Sequence, residues 1–233
     1  MHVLDQADTL AVQASPSDSA AQQHPPKVPR ISRLGLADYV STYAAMREFT
    51  RLRTQDTPDE LWLLQHPPVY TTGLAGRDAH LPRHSDIPLV RIDRGGQITY
   101  HGPGQLVLYT LIDLVLRHLT IRGFVTLLEQ AVIDTLARHG VAGKRRPGAP
   151  GVYVDGAKVA ALGLRVRGGR CYHGMALNVD MDLTPFLAID PCGYPGLAVT
   201  RTRDLGVTAT VEELGEDLAA ALIARLQGHE HRR

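Results

Sequence analysis

Cysteine is scarce in this chain: the 233 residues include only Cys171 and Cys192. Two cysteines are too few for the disulfide framework of a small secreted protein or for a four-cysteine zinc site. The sequence also lacks the HExxH and Cys-x-x-Cys spacings of common metal sites. We therefore expect no metal, no cofactor and a cytoplasmic location, where thiols stay reduced.

Long apolar runs and an excess of charge are absent as well. No segment approaches the roughly 18 consecutive apolar residues of a membrane-spanning helix, and no apolar segment follows a basic start as in a secretory signal. The formal net charge is +1, which is too small for bulk charge to drive binding to nucleic acid or to a membrane surface. We expect neither partner.

Residues 1–29 lack aromatic side chains and are rich in Ala, Gln, Ser, Pro and Asp. Such a segment cannot bury enough apolar surface to offset its ordering entropy. The composition predicts a disordered N-terminal tail over residues 1–29, followed by a single folded domain over residues 30–233.

Helical periodicity appears in three places in that domain. The first predicted helix starts near Leu36, since apolar side chains recur there at helical spacings: Leu36, Tyr39, Val40, Tyr43, Met46 and Phe49. A second helix is predicted over residues 124–138. A third opens with a capping box from Thr210 to Glu213.

Short apolar runs between these helices predict strands over residues 61–64, 89–93, 97–100, 106–112, 151–154, 157–166 and 171–179. The Asp155-Gly156 turn between two of them is a strong hairpin signal. This order predicts an α+β fold with a mixed, mostly antiparallel sheet flanked by helices. It lacks the strict strand–helix alternation of a dinucleotide-binding domain.

Residues 94–105 form the most unusual segment, with four glycines and a proline among polar side chains. Glycine lets a backbone approach a ligand closely, so this segment suits a binding wall. A tight hairpin in which His101 bonds a backbone carbonyl explains the same pattern. No Gly-Lys-Ser/Thr closes the segment, so it is not a nucleotide-binding P-loop.

Two side chains stand out as candidates for chemistry. Cys192 lies between Pro191 and Gly193, whereas Cys171 lies in an apolar strand pattern and is expected to pack in the core. Lys158 lies in a strand of small residues, where it either blocks an exposed sheet edge or points into a cleft.

These motifs resemble the signature of the lipoyl(octanoyl) transferases, also called the lipoate-protein ligase B family. The resemblance rests on residues 94–109 (RGGQITYHGPGQLVLY), with further motifs at 66–73, 151–163, 173–179 and 191–193 in the same order. It covers roughly residues 31–227 and leaves out only the tail. One departure is Tyr153, where the family often has Trp.

The resemblance implies a fold similar to the lipoate and biotin protein ligase catalytic domains. It implies a catalytic acyltransferase domain over residues 30–233, which transfers an octanoyl group from octanoyl-acyl carrier protein to a lysine of a lipoyl domain in lipoate biosynthesis. The acceptors implied are the E2 subunits of 2-oxoacid dehydrogenases and the glycine cleavage H protein.

The family forms a thioester acyl-enzyme on the cysteine that matches Cys192, and its catalytic lysine matches Lys158. Its acyl pocket matches three segments of this chain. The substrate-binding residues implied are Arg94, Gly95, Gly96, Gln97, Ile98, Thr99, Tyr100, His101, Ala161, Leu162, Gly163, Gly174, Met175 and Ala176.

Two other functions stay open at this point. An ATP-dependent lipoate or biotin protein ligase on the same fold would use its lysine on an adenylate and would need no cysteine. A non-catalytic protein that binds acyl chains or lipoyl domains would need neither residue. The combination of Cys192 and Lys158 favours the transferase.

A basic surface is also expected, because acyl carrier proteins are acidic and this chain is nearly neutral. Lys144, Arg145 and Arg146 form one candidate cluster, and Arg165, Arg167 and Arg170 form another. Solvated loop charges are the commoner explanation of such clusters, and docking of the carrier by one of them is the alternative.

Overall fold

A computed structural model describes residues 27–76, 82, 85–190 and 196–231. Its helices are α1 (Tyr39–Leu52), α2 (Ile121–Arg138) and α3 (Val211–Glu230), with short 3-10 helices at Thr184–Ala188 and Thr202–Leu205. Its strands are β1 (Arg30–Leu36), β2 (Glu60–Gln65), β3 (Val69–Thr72), β4 (Leu89–Arg91), β5 (Thr99–His101), β6 (Gln105–Asp113), β7 (Lys144–Arg145), β8 (Val152–Val154), β9 (Ala157–Arg167) and β10 (Arg170–Asn178).

A seven-stranded sheet with the order β1-β2-β6-β10-β9-β8-β7 forms the centre of the fold. Only the β1–β2 pair in it is parallel. Helices α2 and α3 pack on one face of this sheet around a large apolar core. Helix α1 packs on the other face against a second cluster, and a small sheet with the order β4-β3-β5 completes the fold. The predicted α+β class is confirmed.

Local sequence signals located two features of the sheet and helices correctly. The Asp155-Gly156 turn has positive φ at both residues, 48° and 86°, as a tight hairpin between β8 and β9 requires. Thr210 caps α3 through the Glu213 amide, and the Glu213 carboxylate accepts from the Thr210 amide. Both features depend on neighbouring residues alone, which is why the sequence contains their signal.

The start of α1 differs from the prediction. Asp38 accepts a hydrogen bond from the Ser41 amide at 2.9 Å, so the helix begins at Tyr39 rather than near Leu36. Leu36 instead ends the edge strand β1 and is 62% exposed, and Val40 is exposed on the outer side of α1. The strand β1 was not predicted because its side chains are mostly exposed and show no apolar run.

Lys27, the first residue described, is held to the fold, since its carbonyl accepts a hydrogen bond from Arg117 Nη2 at 2.7 Å. Residues 1–26 lie outside the described residues, so the boundary of the tail stays a prediction. In the part of the chain that the structure describes, no helix is both long enough and apolar enough to cross a membrane.

Candidate active site

A cavity that is open to solvent lies on the α1 side of the central sheet. Two rows of paired residues form its floor. Ala161 on β9 pairs with Ala176 on β10, which pairs with Val107 on β6. One row further along, Gly163 pairs with Gly174, which pairs with Tyr109. Directly opposed residues share a face of a sheet, so the alanines and glycines of β9 and β10 leave room there for a ligand.

The glycine-rich segment forms the roof of this cavity. The Gly95 amide donates to the Leu164 carbonyl at 2.8 Å and ties the segment to β9. Arg94 lies beneath it, where its Nη2 donates to the carbonyl and the hydroxyl of Thr71, each at 2.8 Å. A Cβ on Gly163 would lie 2.9 Å from Arg94 Cδ. Glycine at 163 therefore leaves space for the buried Arg94 side chain.

All but two of the predicted substrate-binding residues line this one cavity. The exceptions are Gly95, whose amide anchors the roof, and Tyr100, which packs away from it against Tyr70 and Phe186. Whether the lining residues bind an acyl chain stays a prediction. Four lining residues were missed by the sequence reasoning: Tyr39, Val107, Tyr109 and His173.

Three buried histidines lie at or next to the cavity. His101 and His173 line it, and His66 packs against His101. His66 Nδ1 donates to the Ala37 carbonyl at 2.6 Å, so its Nε2 accepts from the Tyr109 hydroxyl at 2.7 Å. Burial lowers the pKa of His66 and of His173. Burial, aided by the neighbouring His66, lowers the pKa of His101 to about 3. These rings are therefore neutral near pH 7 and add no charge to the cavity.

His101 also links the cavity to the chain beyond residue 195. Its Nδ1 donates to Gln105 Oε1 at 2.7 Å, and Gln105 Nε2 donates to Asn178 Oδ1 at 2.9 Å. Asn178 Nδ2 then donates to the Thr200 carbonyl at 2.9 Å. This chain of fully paired groups holds the roof, β6, β10 and the 198–200 segment in one arrangement.

Asp93 collects hydrogen bonds behind the cavity wall. The hydroxyls of Tyr43 and Tyr172 donate to it, and His173 Nε2 lies 3.4 Å from its Oδ1. Burial opposes ionisation, but the hydrogen bonds from His173, Tyr172 and Tyr43 outweigh it and hold the pKa of Asp93 below its usual range. His173 has a φ of 62° inside a strand. Such strain in a residue other than glycine tends to mark functional sites.

Lys158 lies on β9, three residues before the lining residue Ala161, and is only 3% exposed. Its Nζ donates to the Pro150 carbonyl at 3.1 Å and lies 5.2 Å from the centre of the Tyr153 ring. A Cβ on Gly151, whose φ is 137°, would lie 3.3 Å from the same Nζ. The interpretation of Lys158 as an exposed edge residue is therefore wrong.

A β-bulge places Lys158 and the cavity floor on the same face of β9. Register between β8 and β9 shifts by one residue between Val152 and Tyr153. Val159 and Ala160 consequently both join the core under α2 and α3, while Lys158 and Ala161 share the cavity side. Bulges commonly re-aim side chains next to active sites. Strict alternation would have put these two residues on opposite faces.

Cys192 lies outside the described residues, and only its flanks can be placed. Before it, Ile189 packs in the apolar cluster that contains the cavity residue Ile98. After it, Val199 forms a parallel bridge with Lys158. The Lys158 amide donates to the Ala198 carbonyl at 2.8 Å, and the Thr200 amide donates to the Lys158 carbonyl at 3.0 Å.

Cys171 is fully buried in the core, as expected. Burial raises the pKa of its thiol to about 12, so it is protonated and unreactive near neutral pH. In the described ranges, no group of three or more His, Cys, Asp or Glu side chains is placed to hold a metal ion.

Comparison with known proteins gives one consistent family. The model of the lipoyl protein ligase A/B catalytic domain matches residues 38–223. An octanoyltransferase from Aromatoleum aromaticum is 61% identical over 206 residues, which cover 85% of this chain and 89% of that protein. An octanoyltransferase from Dechloromonas aromatica is 56% identical over 198 residues, which cover 85% of this chain and 97% of that protein.

A solved structure of lipoate-protein ligase A bound with ATP has a TM-score of 0.71 to this chain. Its sequence identity is 17%, and the match covers 86% of each chain. A likeness at this identity concerns the fold alone.

Proposed function

The chain belongs to the family of lipoyl protein ligase A/B catalytic domains, and from that premise we propose that it transfers an octanoyl group through a thioester on Cys192. The relatives that match most of its length at 52–61% identity are octanoyltransferases. The observation that carries the proposal is a cavity with alanines and glycines in its floor and a buried lysine on the same face of β9, three residues before Ala161.

The donor in this proposal is octanoyl-acyl carrier protein, and the acceptors are lysines of lipoyl domains in E2 subunits and in the glycine cleavage H protein. The catalytic domain spans residues 30–233. Its octanoyl chain lies between the floor and the roof of the cavity, with its carbonyl carbon toward Lys158.

The first half-reaction moves the octanoyl group from the carrier to the enzyme. The Cys192 thiolate attacks the thioester carbonyl, and the carbon–sulfur bond to the carrier breaks. The leaving carrier thiolate takes a proton from the Lys158 ammonium. The enzyme then holds a Cys192 thioester and a neutral Lys158 amine.

The second half-reaction restores the starting state. The acceptor lysine attacks the Cys192 thioester as a neutral amine, and Lys158 accepts the proton that this amine must lose. The carbon–sulfur bond to Cys192 breaks, so that the products are an octanoyl amide, the Cys192 thiolate and the Lys158 ammonium. No proton is gained or lost over the cycle.

An ATP-dependent ligase on the same fold is not favoured, because the close relatives are octanoyltransferases. The two functions differ in one requirement. A thioester is already activated, so its transfer to an amine needs no adenylate. Amide formation on a lipoyl domain from octanoyl carrier protein without ATP is the direct test. Strict dependence on ATP would favour the ligase instead.

Narrowing the floor is expected to shorten the acyl chain that the enzyme accepts. Ala161 lines the cavity and is only partly buried, so Ala161→Leu extends three carbons into the cavity. We expect kcat/KM for an octanoyl thioester to fall at least about tenfold while a butanoyl thioester loses much less. Ala220→Leu on the exposed side of α3 is the matched control. An equal loss for both chain lengths would contradict the assigned acyl position.

Tyr153 is expected to support Lys158 through its ring. The negative face of an aromatic ring attracts an ammonium by about 0.5–2 kcal/mol, so Tyr153→Leu should lower kcat/KM roughly three- to thirtyfold. Tyr153→Phe keeps the ring and loses only the hydroxyl bond to the Ala149 carbonyl, and it should stay within about twofold. Equal loss in both variants would assign the effect to that hydroxyl bond.

A further inference from the structure

The segment from Lys144 to Lys158 carries four cationic side chains and a single carboxylate, Asp155. We propose that two of these cations, Lys144 and Arg146, dock the acidic acyl carrier protein that delivers the octanoyl group. We call this pair the basic edge. The inference rests on the proposed function, since it identifies where the donor of that reaction binds.

Strand register places the basic edge beside Lys158. Lys144 on β7 pairs with Tyr153 on β8, and Tyr153 pairs with Lys158 on β9. Neighbouring strands are about 5 Å apart, so Lys144 lies about 10 Å from Lys158 across the sheet. Opposed residues share a face, which puts Lys144 on the cavity side. Arg146 begins the loop that leads to Pro150, whose carbonyl binds Lys158 Nζ.

Arg145 lies between Lys144 and Arg146 in the sequence but has a different role. Arg145 pairs with Val152 and faces α2. Its Nη2 donates to the Thr126 carbonyl and to Gln130 Oε1. Its Nε lies 3.2 Å from the Glu129 carboxylate. Glu129 also accepts from the Gly151 amide at 2.9 Å. Arg145 therefore binds the edge of the sheet to α2, and we do not include it in the docking surface.

Lys144 and Arg146 are exposed, and neither forms an ion pair with any carboxylate among the described residues. Their charges consequently remain available to a partner. Most other arginines around the fold are engaged: Arg138 with Asp217, Arg201 with Asp204 and Arg203 with Asp180, for example.

The second basic cluster lies too far from the chemistry to dock the donor. Arg167 follows Lys158 by nine residues of one continuous strand, a separation of about 30 Å. Lys144 lies about three times closer to Lys158. Arg165 and Arg170 also face carboxylates, Asp93 at 3.8 Å and Asp113 at 3.6 Å.

Charge complementarity between the basic edge and an acidic carrier acts mainly on the rate of association. It is screened over a Debye length of about 10 Å at 0.1 M salt. Reversing the two charges should therefore change how the enzyme meets the carrier and should leave the acyl cavity unaltered. A small octanoyl thioester without a carrier reports on the cavity and the chemistry alone.

The test is the double variant Lys144→Glu, Arg146→Glu, assayed with octanoyl-acyl carrier protein and with a small octanoyl thioester. We expect KM for the carrier substrate to rise about tenfold or more at low salt and to lose its salt dependence. Turnover of the small thioester should remain within about twofold of the parent. The matched control is Arg47→Glu, Arg167→Glu, which reverses two exposed cations beside the far cleft lined by Arg47, Arg51, Arg167 and Arg170.

Three results would overturn the docking assignment. An unchanged carrier KM in the Lys144, Arg146 variant excludes the basic edge, and a raised KM in the control variant moves the docking site to the far cleft. A raised KM for the lipoyl-domain acceptor alone assigns the edge to the acceptor. In each case the small thioester still reports octanoyl transfer, so the proposed function survives a failure of the docking inference.

Discussion

Cys192→Ala is expected to abolish octanoyl transfer while leaving the fold intact. A nucleophile that forms a covalent intermediate cannot be replaced by the rest of the site, and losses of about a thousandfold or more in kcat are usual. Intact mass spectrometry after mixing with octanoyl carrier protein should show one octanoyl adduct on the parent enzyme and none on the variant. Peptide mapping should place that adduct on Cys192.

Cys171 supplies the matched control for this experiment. It is the other cysteine of the chain, it is buried in the core, and burial raises the pKa of its thiol to about 12. Cys171→Ala should keep both the adduct and the activity, at the cost of some stability from the small cavity left behind. An octanoyl adduct on Cys171 with Cys192 unmodified would contradict the acyl-enzyme assignment.

Local signals in the sequence were sufficient for much of the fold. The Asp155-Gly156 turn, the Thr210 capping box and the apolar run of β2 depend on residues that are neighbours in the chain, and each was predicted correctly. The edge strand β1 was missed because an exposed strand lacks the apolar pattern that marks a buried one. The predicted start of α1 was wrong because helical spacing alone does not distinguish the exposed residues Leu36 and Val40 from buried ones.

Some residues that line the cavity depend on long-range pairing and are not predictable from local sequence patterns. The segments 94–101, 161–163 and 174–176 were predicted from a resemblance, and nearly all of their residues line one cavity. Tyr109 and Val107 join them only because β6 pairs with β10 in one particular register. His173 joins through a positive φ that no local motif indicates. A known pairing of β6 with β10 would have found Val107 and Tyr109 by alternation.

Lys158 gives the sharpest example of a long-range determinant. Its orientation depends on the bulge opposite Val152 and Tyr153, which alternation along β9 does not contain. Its surroundings come from β8 and from the loop before it, through the Tyr153 ring and the Pro150 carbonyl. The sequence alone therefore leaves open whether Lys158 blocks a sheet edge or points into a cleft. The packing of β8, β9 and the loop before β8 decides between the two.

Lys158→Met is expected to lower kcat for octanoyl transfer by about a hundred- to ten-thousandfold, the usual range for loss of a general acid–base group. Methionine keeps the length of the buried stem and removes the charge, so the fold should be less disturbed than by alanine. An unperturbed thiol is only about 3% thiolate at pH 7, and a nearby ammonium raises that fraction. The pH at which Cys192 is half-maximally alkylated should consequently rise by about one to two pH units in the variant.

Lys158→Arg separates the two roles of this side chain. Arginine keeps a positive charge but does not give up its proton near neutral pH, so it can serve neither as an acid nor as a base. It should still favour the Cys192 thiolate, and the carrier thiolate can leave and take its proton from water. The second half-reaction, which needs a base, should fail. We expect rapid formation of the octanoyl adduct by mass spectrometry, followed by slow transfer to the lipoyl lysine. Transfer as fast as in the parent enzyme would assign Lys158 to thiolate formation alone. An unchanged alkylation profile in Lys158→Met would exclude Lys158 from thiolate formation, because its charge would then not be felt at the thiol.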